Sequence, residues 1–363
     1  MALDKHWNFI RIPKTKNTTL TTWNAADEHV IQCVSEKETL HQTTAIFHDR
    51  FGYLSCFLAD QNPDIVIYLK SQQTAISKNL ALNKININPN FITPFVHSVE
   101  KKWEVVILHI PKSLDLFDLY LQIIFRFSDS NVVVYCAFMT RHFTKSMLKM
   151  AEFYFTDVKQ SLTFKKSRIL TLCGKKENIA EKNLIRTIFY NKTYLQYSGV
   201  FSKNQIDFAT RFLLENVVVE KHEKKILDWG CGNGIIGIFL NEKYPDTEVY
   251  YVDDNLLATE SVHLNSKEAR VFWEYDINNI SGQTFDLIVS NPPFHFEHEN
   301  DISISLDFFE KSFHYLTNKG RLIVVANKHI NYLTHLKNIF PISEILAQNS
   351  KFAIYQCRFT RPC

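Results

Sequence analysis

The stretch VSNPPFHFEHEN, residues 289–300, sets an asparagine, two prolines and an aromatic ring side by side, from Asn291 to Phe294. Two prolines remove two backbone donors and fix two φ angles, so a strand that reaches Val289 cannot go on pairing beyond it. The groups left over are the Asn291 amide, the carbonyls of Asn291 and Pro292, and the face of Phe294. Two acceptors beside a stacking surface suit a flat polar group that carries an amine. An ordinary strand-ending turn would also use Asn-Pro-Pro, so the corner alone leaves both readings open.

A second cluster lies upstream in KKILDWGCGNGIIGIFL. Four of the nine glycines in the chain fall between residues 230 and 237, which marks a backbone that something approaches closely. Gly232-x-Gly234-x-x-Gly237 fits a dinucleotide loop, and Asp253 stands at the right distance downstream to hold a ribose hydroxyl. The wider string, Asp228-x-Gly230-x-Gly232-Asn233-Gly234, adds a carboxylate just before the turn. That charge would repel a pyrophosphate but would accept from the ammonium of an amino acid. A ribose, an adenine and a cationic amino-acid tail describe S-adenosylmethionine. Asp276, in FWEYDINN, is then placed to accept from the adenine amino group; a loop or helix-capping role is the alternative.

Elements of the right kind surround these residues. Ile226 and Leu227 form a short buried strand before the glycine turn, and an apolar run of helical length follows it. TEVYYVDDN is a strand ending at Asp253 and Asp254, LLATESVHLN a helix, TFDLIVSNPPF a strand, and LTNKGRLIVVAN a turn at Gly320 feeding another strand. Strands alternating with helices imply an α/β fold with a parallel, doubly wound, Rossmann-like sheet. The glycine loop, Asp253 and the Asn-Pro-Pro corner all lie at carboxyl ends of strands, where such sheets bind ligands.

The 363 residues exceed one ordinary core and imply two domains. With 45% hydrophobic and 22% charged residues, no apolar leader and no membrane-length stretch, the chain is expected to be globular and cytoplasmic. Seven scattered cysteines without a C-x-x-C pair are expected to be reduced thiols. The net charge of +3 is uneven: residues 1–173 hold 20 Lys/Arg against 15 Asp/Glu, and the rest 21 against 23. From Arg141 to Lys192 there are 12 basic and 4 acidic residues, with Phe143, Phe153, Tyr154, Phe155 and Phe164 interleaved. Lys149, Lys165, Lys166 and Arg168 in this stretch are candidates to follow a phosphate backbone; a solvated helix and its flanks is the plainer reading.

The combination of D-x-G-C-G-x-G with N-P-P-F resembles class I methyltransferases that modify exocyclic amines. N-P-P-F-H, with GVFS (Gly199 to Ser202) and Asp207 upstream and IVVANKH and NSKFAIYQC downstream, resembles the bacterial ribosomal RNA guanine-N2 methyltransferases. TTWNAADEHVI and NYLTHLKNIF are similar to their large-subunit (23S) branch. The resemblance spans nearly the whole chain and is dense from about residue 195 onward. Trp229, where a smaller aliphatic residue is usual, and Asp276, where the family often has Asn, depart from it. The resemblance implies methyl transfer from S-adenosylmethionine to a guanine N2 in ribosomal RNA. Asn291, Pro292 and Phe294 would act on the base, with His295 on the substrate side or stabilising the loop. No metal is expected, because a sulfonium gives up its methyl without one, although His295 and His298 lie close to Glu297 and Glu299. A small-subunit (16S) substrate, adenine-N6 or glutamine-N5 methylation, and a noncatalytic RNA-binding assembly factor are the alternatives. The enzyme is expected to be a monomer.

The first half also aligns with the second. TTAIFHDRFGYLSCFLAD falls on the glycine loop, DIVIYLKSQQTAISKNLALN on EVYYVDDNLLATESVHLN, and VVILHIPKS on LIVSNPPFH. Only Gly52 remains of the glycines, and Lys70 and Ser71 are expected where the acidic pair stood. The expected organisation is a degenerate methyltransferase-like domain over 1–175, binding RNA or serving as scaffold, a linker over 176–198, and a catalytic domain over 199–363.

Overall fold

The computed structural model describes residues 7–15, 17, 19–35, 42–201, 205–280, 282–292 and 302–358. The chain divides into two compact units whose boundary falls between Leu184 and Ile185. The first unit contains strands β1 (Thr44–Phe47), β2 (Asp64–Val66), β3 (Asn90–Ile92), β4 (Trp103–His109), β5 (Ser128–Met139), β6 (Phe155–Gln160) and β7 (Ser167–Lys175). Its helices are α1 (Ala25–Ser35), α2 (Tyr53–Phe57), α3 (Lys70–Leu82), α4 (Leu114–Phe127) and α5 (Lys145–Tyr154).

The second unit opens with a hairpin of β8 (Ile185–Tyr190) and β9 (Lys192–Tyr197) that turns at Asn191, φ 57°. Its sheet contains β10 (Lys225–Trp229), β11 (Glu248–Asp253), β12 (Arg270–Trp273), β13 (Phe285–Ser290), β14 (Leu316–Asn327), β15 (Ile342–Gln348) and β16 (Phe352–Arg358). Helices α6 (Phe208–Asn216), α7 (Ile235–Lys243), α8 (Leu256–Asn265), α9 (Ile302–Tyr315) and α10 (Leu333–Ile339) complete it. Residues 176–198, read from the sequence as a linker, thus include a hairpin with a docking site of its own. The Leu195 N–H donates to Asn265 Oδ1 at 2.7 Å and the Tyr197 N–H to Ser261 Oγ at 2.9 Å, both on α8.

Both seven-stranded sheets share one topology, β3-β2-β1-β4-β5-β7-β6 in the first unit and β12-β11-β10-β13-β14-β16-β15 in the second. The sheets are mixed rather than wholly parallel: in each, six strands point one way, while β7 and β16 run antiparallel to both neighbours. The reason is local in the second unit. Asn349 Oδ1 accepts the N–H groups of Lys351 and Phe352 at 2.8 and 2.7 Å, folding a tight hairpin between β15 and β16. A hairpin can only be antiparallel.

Pairing across the sheets fixes how the two copies correspond. In the second unit Trp229 pairs with Val252 and Asp228 with Val289; in the first, Phe47 pairs with Val66 and Ile46 with Ile107. His109 therefore stands at the register of Asn291, as the sequence alignment has it. Ile67 and Tyr68, not Lys70 and Ser71, stand at the places of Asp253 and Asp254. The expected match was displaced because Lys70 opens α3 just as Leu256 opens α8. Gly52 keeps the place of Gly234: each precedes a helix in the left-handed region, at φ 88° and 80°.

Alternate residues of the second sheet face opposite layers of core. Ile226, Tyr251, Leu287, Val289, Ile323 and Ile354 pack on one side, and Leu227, Val252, Ile288, Leu322, Val324 and Tyr355 on the other. Each such fully buried side chain contributes about 1.5–3 kcal/mol. Asp228 shares the face of Ile226, so the alternation that builds the core aims its carboxylate at α7. Among the described residues no helix is long and apolar enough to cross a membrane.

Candidate active site at the strand ends of the second unit

Gly230, Gly232 and Gly234 have φ of 73°, 55° and 80°, a left-handed position at every second residue that glycine adopts without strain. The Gly230 and Cys231 N–H groups both donate to the Val252 carbonyl, at 2.8 and 3.1 Å, which ties the loop to β11. The glycines then differ in what surrounds them. A Cβ on Gly234 would lie 3.1 Å from Val262, and one on Gly237 only 2.4 Å from the Tyr251 ring. A Cβ on Gly232 would meet nothing within 4 Å. Gly237 is therefore a packing glycine between α7 and β11, and Gly232 borders open space.

Three acids border the same strand ends. Asp228 is fully buried. Its Oδ2 accepts the Gly237 N–H at 2.8 Å, while its Oδ1 is buried without a partner. Burial, opposed by that one hydrogen bond and reinforced by the Asp253 charge, pushes its carboxyl up to about 8. Asp253 accepts the Gly232 N–H on Oδ2 at 3.0 Å and the Asn255 N–H on Oδ1 at 2.8 Å. Burial raises its carboxyl to about 6 against those two bonds. Each Asp253 oxygen retains a further lone pair, so a pair of hydroxyls is a suitable guest. Asp276 caps the short helical turn 277–279 by accepting the Asn278 N–H at 3.1 Å, and Lys311 Nζ lies 3.3 Å from the same oxygen.

At the corner itself, Ser290 is buried and donates to the Trp229 carbonyl at 2.6 Å, locking the end of β13 to the end of β10. Pro292 is buried and Asn291 half-buried. Asn291 Nδ2 donates twice, to Asp207 Oδ2 at 3.0 Å and to Thr210 Oγ1 at 2.8 Å. A carboxylate only accepts, so this pairing assigns the amide orientation: nitrogen toward α6, Oδ1 away from it. Among the described residues nothing donates to Oδ1. Asp207 and Thr210 are the residues that sequence reasoning left without a role. Their signal was an Asp immediately before a periodic apolar segment, the mark of a helix start.

Asn233, expected near the ligand, is buried, and its side chain holds the loop's shape. Oδ1 accepts the Ile235 N–H at 3.2 Å, and Nδ2 donates to Gln196 Oε1 of β9 at 3.0 Å. Gln196 was not foreseen either; nothing in a hairpin's alternating pattern announces which polar residue will be buried. Phe294 and His295, with His298, lie outside the described residues. Phe208, next to Asp207, is an exposed ring with Lys351 Nζ 5.9 Å from its centroid.

Of the basic candidates, Lys165, Lys166 and Arg168 come together at one turn of the first unit, whereas Lys149 is exposed on α5. Phe164 and Ser167 pair across the turn, with Lys165 and Lys166 at its tip at φ 44° and 64°. Lys165 also meets Glu28 at 2.9 Å. Other cations of the basic stretch have acidic neighbours too, Lys159 with Asp157 and Lys182 with Asp118, while Lys192 pairs with Glu242 in the second unit. At the first unit's own strand ends a side chain takes one matching position. Arg50, at the place of Gly232, is buried and donates to the Ile12 carbonyl and Ser71 Oγ at 3.1 and 3.0 Å.

Comparison with known proteins gives consistent relatives for both units. The family model described as "Methyltransferase small domain" matches residues 191–356, and that described as "RLMG N-terminal domain" matches residues 2–177. The protein named ribosomal RNA large subunit methyltransferase G of Psychromonas ingrahamii is 28% identical, over 95% of this chain and 94% of its own. Its namesake in Shewanella loihica is 29% identical, over 95% of this chain and 90% of its own. Among solved structures, the T. thermophilus 16S rRNA N2 G1207 methyltransferase, determined with AdoMet and guanosine, superposes with a TM-score of 0.76 at 18% identity, covering 92% of each chain. That likeness shows a shared fold across both units.

Proposed function

We propose that this chain, whose halves match the methyltransferase small domain and the RLMG N-terminal domain and whose relatives carry the name ribosomal RNA large subunit methyltransferase G, methylates the exocyclic N2 amine of a guanine in ribosomal RNA, using S-adenosylmethionine. The observation that carries this reading is the oriented amide of Asn291, whose Nδ2 is held by Asp207 and Thr210 so that Oδ1 is left as an acceptor. A guanine amine is a poor nucleophile because its lone pair is delocalised into the ring. With one amine hydrogen accepted by Asn291 Oδ1 and the other by the Pro292 carbonyl, the lone pair turns out of that plane. Positioning of this kind lowers a barrier by several kcal/mol. Phe294 is proposed to stack on the base, which must leave any helical stack to enter, and His295 to serve on the substrate side.

The residues present fit S-adenosylmethionine on two observations: the buried, unpartnered Asp228 Oδ1, which suits an ammonium group, and the open space at Gly232. Asp253 would hold the ribose hydroxyls and Asp276 the adenine amine, with Gly230, Asn233 and Gly234 shaping the loop between them. When bound, the cofactor supplies an electrophilic methyl on a sulfonium. The large-subunit RNA is the proposed substrate, since the relatives at 28% and 29% identity carry that name. Lys149, Lys165, Lys166 and Arg168 are proposed to hold its phosphates, and the enzyme to act as a monomer in the cytoplasm.

The test separates binding from chemistry. Asn291→Ala should keep its cofactor affinity, measured by calorimetry, and lose roughly a hundredfold or more in turnover. Turnover near the wild-type rate would overturn the role given to the corner.

A further inference from the structure

Asp207 precedes α6 and caps it, its Oδ2 accepting the N–H groups of Ala209 and Thr210 at 3.0 and 3.1 Å. The same oxygen accepts Asn291 Nδ2, so one carboxylate oxygen collects three donors, and Thr210 Oγ1 takes the amide's other hydrogen. Capping alone would use only the first two. The third bond reaches from the first turn of a helix to the end of a strand 84 residues away in sequence. It ends on the amide whose other atom is given the acceptor role above.

We propose that Asp207 and Thr210 are positioning residues for methyl transfer: together they fix the Asn291 carboxamide with Oδ1 outward and make that oxygen a stronger acceptor. The proposal rests on the role given to Asn291 above. Turning the amide over would set Oδ1 against the Asp207 carboxylate, acceptor against acceptor, so the wrong orientation is repelled as well as unrewarded. A charged acceptor on Nδ2 also polarises the amide, drawing electron density onto Oδ1 in a site of low dielectric. The first unit shows that a latch between strand end and helix start does not itself require this arrangement. There His109, at the register of Asn291, meets Asp27 of α1 through Nδ1 and Oδ1 at 2.6 Å. An imidazole holds the latch there, with no amide to orient.

The full-length protein with Asp207→Asn, Thr210→Val, Thr210→Ser, Asn291→Asp and the double variant Asp207→Asn/Asn291→Asp provides the test. Asparagine caps a helix as well as aspartate does, so Asp207→Asn should melt close to the wild type and bind S-adenosylmethionine within about twofold. Its kcat should fall about tenfold or more with KM for RNA little changed, because a neutral oxygen shared among three donors holds Asn291 Nδ2 less firmly and the charge that polarises the amide is gone. Thr210→Val should also lower kcat, and Thr210→Ser, which restores the acceptor, should recover most of it. Asn291→Asp sets two carboxylates face to face and should be nearly inactive. Adding Asp207→Asn removes one of the two facing charges and should restore at least about tenfold of the lost turnover, a coupling that a purely structural role would not produce. Wild-type turnover in Asp207→Asn and Thr210→Val, with Asn291→Ala inactive, would overturn the positioning proposal and leave the role of Asn291 standing. Full activity in Asn291→Ala would instead remove the role of Asn291 and the proposal with it. Should Asp207→Asn unfold, the comparison of Thr210→Val with Thr210→Ser decides: no recovery by serine counts against the proposal.

Discussion

At the scale of single residues, protonation ties the site to pH. Asp228 is raised from 3.8 to about 8 by its burial. Between those values the folded protein without ligand keeps a proton that the unfolded chain has released, so this group's contribution to stability falls as pH rises through that window. An ammonium beside Oδ1 favours the carboxylate, so S-adenosylmethionine binding at pH 7 should expel close to one proton per chain. Calorimetry in two buffers of different ionisation heat measures this; equal heats would contradict it, and Asp228→Asn should abolish the difference. The glycines make a paired prediction. Gly232→Ala, at φ 55° and facing open space, should cost about 1–2 kcal/mol of stability and weaken cofactor binding. Gly237→Ala drives a methyl to 2.4 Å from Tyr251 and should cost about 1–3 kcal/mol, with affinity kept wherever the protein stays folded. Both glycines were visible in the sequence as one cluster. Which of them borders open space and which a tyrosine was not, because the spacing G-x-G-x-x-G does not encode the ring packed on α7.

At the scale of elements, the strands and helices around the glycine loop were legible because each alternates apolar residues with a period that matches its geometry. The hairpin β8–β9 was passed over: its alternation is weak, and its burial comes from docking on α8 through Asn265 and Ser261, contacts 64 to 70 residues away in sequence. The antiparallel end of the sheet escaped for a similar reason, since direction is set by the three-residue turn at Asn349. The turn at Lys165 and Lys166 carries its own prediction. Both residues sit in a left-handed conformation better suited to Asn-Gly, at a cost of about 1–2 kcal/mol each. Replacing the pair by Asn-Gly should raise the melting temperature while weakening RNA binding, as thermal melts and filter binding would report. A gain in stability with RNA affinity unchanged would mean that the lysines serve nothing at that tip.

At the scale of the whole molecule, the two sheets repeat one strand order, yet their strand ends have diverged. Gly232 borders open space, while at the matching place Arg50 fills the first unit with a buried side chain. The duplication was readable from the sequence, and so was the loss of glycines. That a side chain occupies the vacated position follows only from the register. The intact chain should therefore bind one S-adenosylmethionine, and a titration giving two would contradict this. Reversing several charges among Lys149, Lys165, Lys166 and Arg168 should raise KM for RNA with little change in kcat and flatten the salt dependence of binding.

The central claim is that the corner at Asn291 presents a guanine N2 amine for methylation. Tritiated methyl transfer from S-adenosylmethionine to ribosomal RNA, followed by nucleoside analysis of the product, tests it most directly. The label should appear as N2-methylguanosine in large-subunit RNA, and should disappear with Asn291→Ala while cofactor binding persists. Label in N6-methyladenosine, or in N2-methylguanosine made equally well by Asn291→Ala, would contradict it.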